Sequence, residues 1–343
     1  MENHIEDSTR FSFDALTKRL SAILRRHGCS QTVADILANN CVSAERDGAE
    51  SHGLFRMAGY VSTLKSGWVD GKAVPQVEDA APGLVRVDAQ NGFTQPALMA
   101  GRPLLVEKAT RNGIAAIAIR NSHHFAALSL DVEPFAQEGF VALSVINSMA
   151  SVVPHGGRRA VFGTNPIAFA APRANGLPLV FDQATSVMAH GDVKIAAREK
   201  KPLPAGVGVN SRGEPTTDAA EIIAGGALLP FGGHKGSALS LMVEILCAAL
   251  VGGKFSHEVD WSSHPGAQTP HTGQTIIVID PRAGAQAIAP LAMRVEELIA
   301  EMRDAGTDRL PGERRQAARA QSDRDGIAVS TAMQDSLRAL EME

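Results

Sequence analysis

Four short strings in this sequence set ionisable side chains beside glycines or helix-start residues at spacings that could do chemistry. The first is Glu50-Ser51-His52-Gly53-Leu54-Phe55-Arg56. Ser51 stands where an N-cap would start a helix, which puts His52 in the first turn and Arg56 one turn on along the same face. Free backbone N–H groups of such a turn favour an anion, so one surface would offer a proton donor and a guanidinium fork suited to a carboxylate. A capped helix start with a solvated histidine and a surface arginine has the same spacing. The second string, Arg120-Asn121-Ser122-His123-His124-Phe125-Ala126-Ala127-Leu128, follows a strand pattern directly and opens a helical one. Open α/β sheets bind phosphates at such places, with first-turn N–H groups taking the charge. Paired histidines could also be metal ligands, but no Glu, Cys or His completes a ligand spacing around them, and no metal is expected.

The third string, Gly232-Gly233-His234-Lys235-Gly236-Ser237, leads into an apolar helical run. Its glycines permit close backbone approach, Lys235 adds a cation and the helix start adds partial positive charge. Gly156-Gly157 followed by Gly163-Thr164-Asn165-Pro166 is a similar turn-rich segment before a strand. The fourth string is Phe181-Asp182-Gln183-Ala184-Thr185-Ser186, with His190-Gly191-Asp192 after it. An Asp there could hydrogen-bond a histidine ring and fix its tautomer, or cap a helix, or meet solvent.

The elements that must position these strings are legible from periodicity. Leu16, Leu20, Ile23, Leu24, Val33, Ile36, Leu37, Cys41 and Val42 recur at helical spacing, and a further helix is expected from Ser51 through Leu64. After Gly67 the texture turns to short β-type runs at 84–87, 114–119, 141–146, 167–169, 179–181 and 276–279, bounded by Gly, Pro and Asn. Helical patterns lie between them at 104–111, 125–137 and 237–250, with Pro134 expected to kink or shorten the second. An amphipathic pattern returns from 287 to 302, before an Arg-rich stretch to 325 and a last helical pattern to 343. The reading is α/β (α+β), with residues 1–75 and 285–343 as a helical substrate and dimer lobe and 76–284 as a central α/β cofactor-binding domain.

At 343 residues, 44% hydrophobic and 20% charged, the chain can bury a large core divided between lobes. A formal charge of −4 gives no global attraction for nucleic acid or anionic membrane, so partners should be small molecules held by local charge. Cys29, Cys41 and Cys247 form no disulfide framework and no Cys-x-x-Cys pair, which fits a reducing cytoplasm. No export or membrane signal is visible. The Gly-x-Gly-x-x-Gly string of an ordinary Rossmann domain is missing, as are a Walker A string, His-Glu-x-x-His and Gly-x-Ser-x-Gly. The only tyrosine, Tyr60, is followed four residues on by Leu64, so the Tyr-Lys pair of a short-chain dehydrogenase is excluded.

Taken together, Ser51-His52-Gly53 with Arg56, Asn121-Ser122-x-His124-Phe125, Gly163-Thr164-Asn165-Pro166, Asp182 with Ala184-Thr185-Ser186, Gly233-x-Lys235-Gly236 and Pro311-Gly312-Glu313 resemble the type 2 malate/L-lactate dehydrogenase family. The order is the family's, and the strings span nearly the whole chain. The resemblance implies a non-Rossmann NAD(P)-binding fold, a mixed sheet with helices, and a homodimer. By position, His52 resembles the proton donor, Ser51 its neighbour and Asp192 the partner that orients and charges the ring. Arg56 would hold the substrate carboxylate, with Met149 and Thr164 beside it. His124, Phe125, Ala126, Ala127, Leu128, Thr164, Asp182, Gln183, Ala184, Thr185, Ser186, His234, Lys235, Gly236, Arg309, Gly312, Glu313 and Arg314 resemble cofactor contacts. Two departures stand out: Ala126 occupies a position where many members have Gly, and Gly191-Asp192-Val193-Lys194 replaces a more usual Gly-Lys.

Within the family the similarity implies NADPH-dependent reduction of cyclic imino acids: Δ1-piperideine-2-carboxylate to L-pipecolate and Δ1-pyrroline-2-carboxylate to L-proline. Hydride would reach C2 while His52 supplies the proton. NADPH is expected ahead of NADH because Arg309, Arg314 and Arg315 could meet a 2′-phosphate, although a surface ion-pair network would use the same arginines. Leu54, Phe55 and Met149 would shape an apolar pocket. The alternatives are an NAD-dependent malate, lactate or ureidoglycolate-type 2-hydroxy acid dehydrogenase and a non-catalytic nucleotide-binding protein.

Overall fold

A computed structural model describes residues 8–285 and 288–343. In chain order, β1 (Ser8–Phe11), α1 (Phe13–Arg26), α2 (Gln31–Arg46), two 3-10 turns at Glu50–His52 and Leu54–Arg56, and α3 (Met57–Lys65) come first. There follow β2 (Gln76–Ala81), β3 (Leu84–Phe93), α4 (Thr94–Asn112), β4 (Ile114–His123), α5 (Ser129–Gln137), β5 (Val141–Ile146), β6 (Ile167–Ala171) and β7 (Leu179–Gln183). Then come α6 (His190–Glu199), β8 (Gly208–Val209), β9 (Pro215–Thr216), α7 (Ala219–Ile223), β10 (Ala227–Leu228), α8 (His234–Glu244) and a π-helical turn at Ile245–Ala249. β11 (His271–Ile279), α9 (Leu291–Asp304), α10 (Glu313–Asp325), β12 (Ile327–Ser330) and α11 (Thr331–Met342) complete the order. Residue 287, where the sequence places the start of an amphipathic pattern, lies outside the described residues.

A mixed seven-stranded sheet, ordered β2-β3-β4-β11-β5-β6-β7, carries the site. Only β3 and β4 run parallel; the other neighbours are antiparallel. Apolar alternation buries Val85, Val87, Ile117, Ile119, Ile276 and Val278 from the strands against Leu105 of α4 and Val132 and Phe135 of α5. Each fully buried aliphatic side chain of this kind contributes about 1.5–3 kcal/mol of hydrophobic stabilisation. A second core gathers both ends of the chain, joining Leu16, Leu20, Leu37 and Val42 to Ile327, Val329, Leu337 and Leu340. Ser12 and Ser30 cap α1 and α2, their hydroxyls accepting from Ala15 N at 3.2 Å and Val33 N at 3.3 Å.

The sequence locates six of the seven strands of this sheet, misses β2, and places two element boundaries wrongly. No helix starts at Ser51; α3 begins at Met57, and Arg56 occupies its N-cap. The cause is Gly53, whose extended-type backbone (φ −91°, ψ −133°) separates two 3-10 turns. There the Glu45 carboxylate packs against the α-carbon and accepts from Leu54 N at 2.9 Å, a space a side chain at 53 would occupy. Nor does a helix open at His124. β4 stays paired to His123, against Phe93 and His271, so α5 waits until Ser129 and Ala126–Leu128 form a loop. α5 then passes through Pro134 and ends three residues later.

Candidate active site

One cavity of about 610 Å³ opens where the two 3-10 turns, the β4–α5 loop, the ends of β5 and β7, the start of α6 and the start of α10 converge. His52, Arg56, His124, Phe125, Ala126, Ala127, Leu128, Met149, Thr164, Asp182, Gln183, Ala184, Arg309, Gly312 and Arg314 all line it. Residues from positions 52 to 314 of the chain are thus brought to one hollow. Other candidates stand back from it. The Thr185 hydroxyl donates to Thr164 O at 3.0 Å, and the Ser186 hydroxyl donates to Met188 O at 2.7 Å, so both hold the wall from behind. Glu313 is tied to Arg303 at 2.5 Å. His234 and Lys235 are exposed at the start of α8, away from the cavity, and Gly236 is buried against the Phe231 backbone.

His52 sits with Nδ1 3.0 Å from Ser51 Oγ. With the hydroxyl donating, the other ring nitrogen keeps its proton. Burial, and after it the neighbouring Arg56 and His124, push the ring down to about 3 from its ordinary value near 6.5. Arg56 lies over the Phe125 ring with its guanidinium carbon 4.0 Å from the centroid. Its Nε is buried and makes no hydrogen bond, and no carboxylate pairs with it among the described residues. Such an uncompensated guanidinium is costly unless an anion arrives to meet it. A side-chain atom at Gly191, on the first turn of α6, would come within 3.8 Å of Arg56 Nη2 and 3.7 Å of Ser51 Cβ. The first turn of α6 therefore approaches the same place.

Asp192 stays exposed on that turn, and no hydrogen bond joins it to His52 among the described residues; Ser51 alone contacts the ring nitrogen. Asp182 serves as a helix cap rather than a histidine partner, accepting from Ser129 N at 2.8 Å at the start of α5. Burial raises its pKa, and that hydrogen bond opposes the rise. His124 is fixed from behind: its Nε2 is 3.1 Å from Asp131 Oδ2, which also accepts from Gln274 Nε2 at 2.7 Å.

Several lining residues were given no role by the sequence reading, although two of them, His190 and Lys194, fall in strings it named. His190 and Lys194 lie one turn apart on α6 and both reach the cavity. Burial and Lys194 lower His190 to about 4, and burial and Arg56 lower Lys194. Their four-residue spacing on one helix was the available signal. Asn147 and Ser148 follow the end of β5, where α/β sheets commonly place ligands. No signal marks Gln268 and Pro270. The cavity has positive character overall, with one carboxylate, Asp182, on its wall. Among the described residues no three His, Cys, Asp or Glu side chains are grouped to hold a metal.

A dinucleotide fits this lining. The lining includes His52, the loop at Ala126–Leu128 and, near the start of α10, Arg309 and Arg314, which carry no ion pair among the described residues. Comparison with known proteins supports the same conclusion. The description of the malate/L-lactate dehydrogenase family matches residues 11–338. The chain is 63% identical over 321 residues to a Δ1-pyrroline-2-carboxylate/Δ1-piperideine-2-carboxylate reductase of Pseudomonas putida, covering 94% of each. It resembles the crystal structure of Δ1-piperideine-2-carboxylate reductase from Pseudomonas syringae with a TM-score of 0.95 and 60% identity, over 97% of this chain and 99% of that one. A putative malate/lactate dehydrogenase from E. coli superposes with a TM-score of 0.86 at 32% identity, over 98% and 96%. With the fold, the cavity and its lining in agreement, this chain belongs to the malate/L-lactate dehydrogenase family of oxidoreductases.

Proposed function

We propose that this protein is an NADPH-dependent reductase of five- and six-membered cyclic imino acids, converting Δ1-pyrroline-2-carboxylate to L-proline and Δ1-piperideine-2-carboxylate to L-pipecolate. The observation that carries the reading is Arg56: a guanidinium stacked on Phe125, with a buried unpartnered Nε, beside His52 and the start of α6. A carboxylate seated there sets the adjacent C2=N bond next to His52. The bound dinucleotide supplies the hydride that reaches C2. Thr164, Met149 and Phe125 line the same cavity.

His52 donates the proton that the ring nitrogen takes as C2 is reduced. At neutral pH the empty site keeps the imidazole uncharged, because burial and Arg56 both oppose its protonation. A substrate carboxylate on Arg56 counters the second cause and shifts the ring toward protonation, while burial, the larger cause, still opposes it. Ser51 orients the ring through the bond already present, and Asp192 is assigned a supporting charge from the first turn of α6. Arg309 and Arg314 are assigned to the 2′-phosphate; their exposure at the rim and lack of an ion pair favour NADPH over NADH.

The reading extends to the whole molecule. Residues 1–75 and 285–343 form the helical lobe and 76–284 the cofactor domain. Leu241, Met242, Ile245 and Leu250 make an exposed apolar stripe along α8 and the π-helical turn, suited to pairing two copies as a homodimer. A cytoplasmic location accords with three free, buried cysteines. No helix among the described residues is long and apolar enough to cross a membrane.

The test follows NADPH and NADH oxidation with the two cyclic imines, pyruvate and oxaloacetate. Turnover confined to the oxo acids would transfer the assignment to an open-chain 2-hydroxy acid dehydrogenase, and dinucleotide binding without turnover of any of them would make the protein a binding module. With Arg56→Met the KM for the imine should rise roughly a hundredfold, the loss of a charged bidentate contact, while the Kd for NADPH holds.

A further inference from the structure

Glu244, at the end of α8, is 3% exposed and pairs with no Lys, Arg or His among the described residues. Its carboxylate instead accepts four hydrogen bonds from two loops. Oε1 takes Asn165 Nδ2 at 2.9 Å, Ser256 Oγ at 2.5 Å and Gly163 N at 3.4 Å, and Oε2 takes Ser256 N at 3.0 Å. One turn earlier on α8, Ser240 adds a second anchor. Its carbonyl accepts from Asn165 Nδ2 at 3.0 Å, and its hydroxyl lies 2.8 Å from Thr185 Oγ1, whose own residue donates to Thr164 O. Ser256 passes the restraint on, since its Oγ accepts from Ser148 N at 3.4 Å and its carbonyl from Ala150 N at 3.0 Å.

Thr164 and Pro166 line the cavity from the first loop, and Asn147, Ser148 and Met149 line it from the segment that Ser256 holds. The loops also touch each other: a side-chain atom at Gly163 would meet Asn165 Oδ1 at 2.6 Å and Ser148 Cβ at 2.8 Å. Asn165 is held in the left-handed region at φ +40°, which a non-glycine residue keeps only when its surroundings fix it. A carboxylate is the side chain that answers this place, because it accepts at every lone pair and brings no donor to face Asn165 or Ser256.

We propose that Glu244 is a positioning residue that sets the substrate-side wall through Thr164 and Met149, and leaves the dinucleotide's own contacts at Ala126–Leu128, Arg309 and Arg314 untouched. This rests on the imino-acid reductase reading. The substitution Glu244→Gln presents an amide N–H to a donor and should detach one of the two loops. With NADPH saturating, the KM for the cyclic imine should then rise about tenfold, the loss of one charged hydrogen bond. Both kcat and the Kd for NADPH should stay within about threefold, a split that loss of general stability does not produce.

Ser256→Ala removes only the hydroxyl and serves where Glu244→Gln fails to fold; its KM for the imine should rise in the same direction. Fluorescence titration of the NADPH-loaded enzyme with pyrrole-2-carboxylate, a planar ring acid that cannot be reduced, should show the same weakening. A lowered melting temperature with an unchanged imine KM, or an NADPH affinity that falls as much as imine affinity, overturns the proposal. If wild-type protein reduces only oxo acids, the reductase reading fails alone, and the same split measured with the accepted oxo acid still decides the role of Glu244.

Discussion

His52 and Arg56 form one electrostatic unit, and two predictions follow from their geometry. Because Arg56 helps hold the imidazole near 3 in the empty site, seating a carboxylate on the guanidinium should draw a proton from solvent. Calorimetric titration of NADPH-loaded enzyme with pyrrole-2-carboxylate, in buffers of different ionisation heat at pH 6.5, should show net uptake, and His52→Gln should abolish it. An uptake that persists in that variant would assign the proton elsewhere, with His190 the next candidate on the wall. The same substitution should lower kcat by about 10²- to 10⁴-fold, the usual worth of a positioned general acid, and Asp192→Asn should lower it less. At the far end of the cavity Arg309→Ala and Arg314→Ala should raise the KM for NADPH about tenfold and leave that for NADH unchanged. Equal effects on both would remove these arginines from the 2′-phosphate.

Among the elements, α10 is the one most dependent on a single side chain. Arg319 donates to Asp47 at the end of α2 at 2.5 and 2.9 Å and to Glu133 of α5 at 2.6 and 2.8 Å. Both carboxylates are buried, so Arg319→Met strands Glu133, leaves Asp47 with Arg46 alone, and should cost about 3–5 kcal/mol in urea unfolding. A loss below 1 kcal/mol would mean that α10 is held mainly by other contacts. Nothing in the Arg-rich string announced this: in sequence Arg319 is one of several arginines between 308 and 325, and its partners lie far away in the chain. Six sheet strands were legible because buried apolar runs end at Gly, Pro or Asn, while β2 (Gln76–Ala81) is exposed and acidic and shows no such run; His52, Arg56, His124 and Asp182, which line the cavity, stood out because each sits in a string of unusual chemistry. Local spacing failed where distant contacts decide the backbone. Glu45 packs against Gly53 and delays α3, and β11 holds β4 extended to His123. The small sheet β10-β8-β9 went unread because two-residue strands leave no period to see.

At the scale of the molecule, a stack of buried rings lies outside the cavity. His123 and His271 face each other edge to face with centroids 5.3 Å apart, and Trp68 packs against both. Burial first, then the charge of His271, pushes His123 down to about 3, and burial first, then Lys254, pushes His271 down to about 4. The unfolded chain binds these protons near pH 6.5 and the folded one does not. Stability is therefore full above pH 6.5 and is lost as pH falls toward 4, by at most about 1.4 kcal/mol per pH unit for each ring. Urea midpoints between pH 7 and 4.5 should show that slope, and His271→Gln should flatten it; an unaltered slope would place the acid sensitivity elsewhere. The cavity itself has a further consequence in time. It takes His52 from near one end of the chain and Arg309, Gly312 and Arg314 from near the other, and β1 pairs with β12. During synthesis the early helices and the central sheet can condense, yet the cavity lacks its last wall until residues 309–314 are made. Nascent chains stalled at residue 300 should leave NADPH fluorescence unchanged, whereas released protein should enhance it, so cofactor capture would follow synthesis of the start of α10 rather than assist early folding.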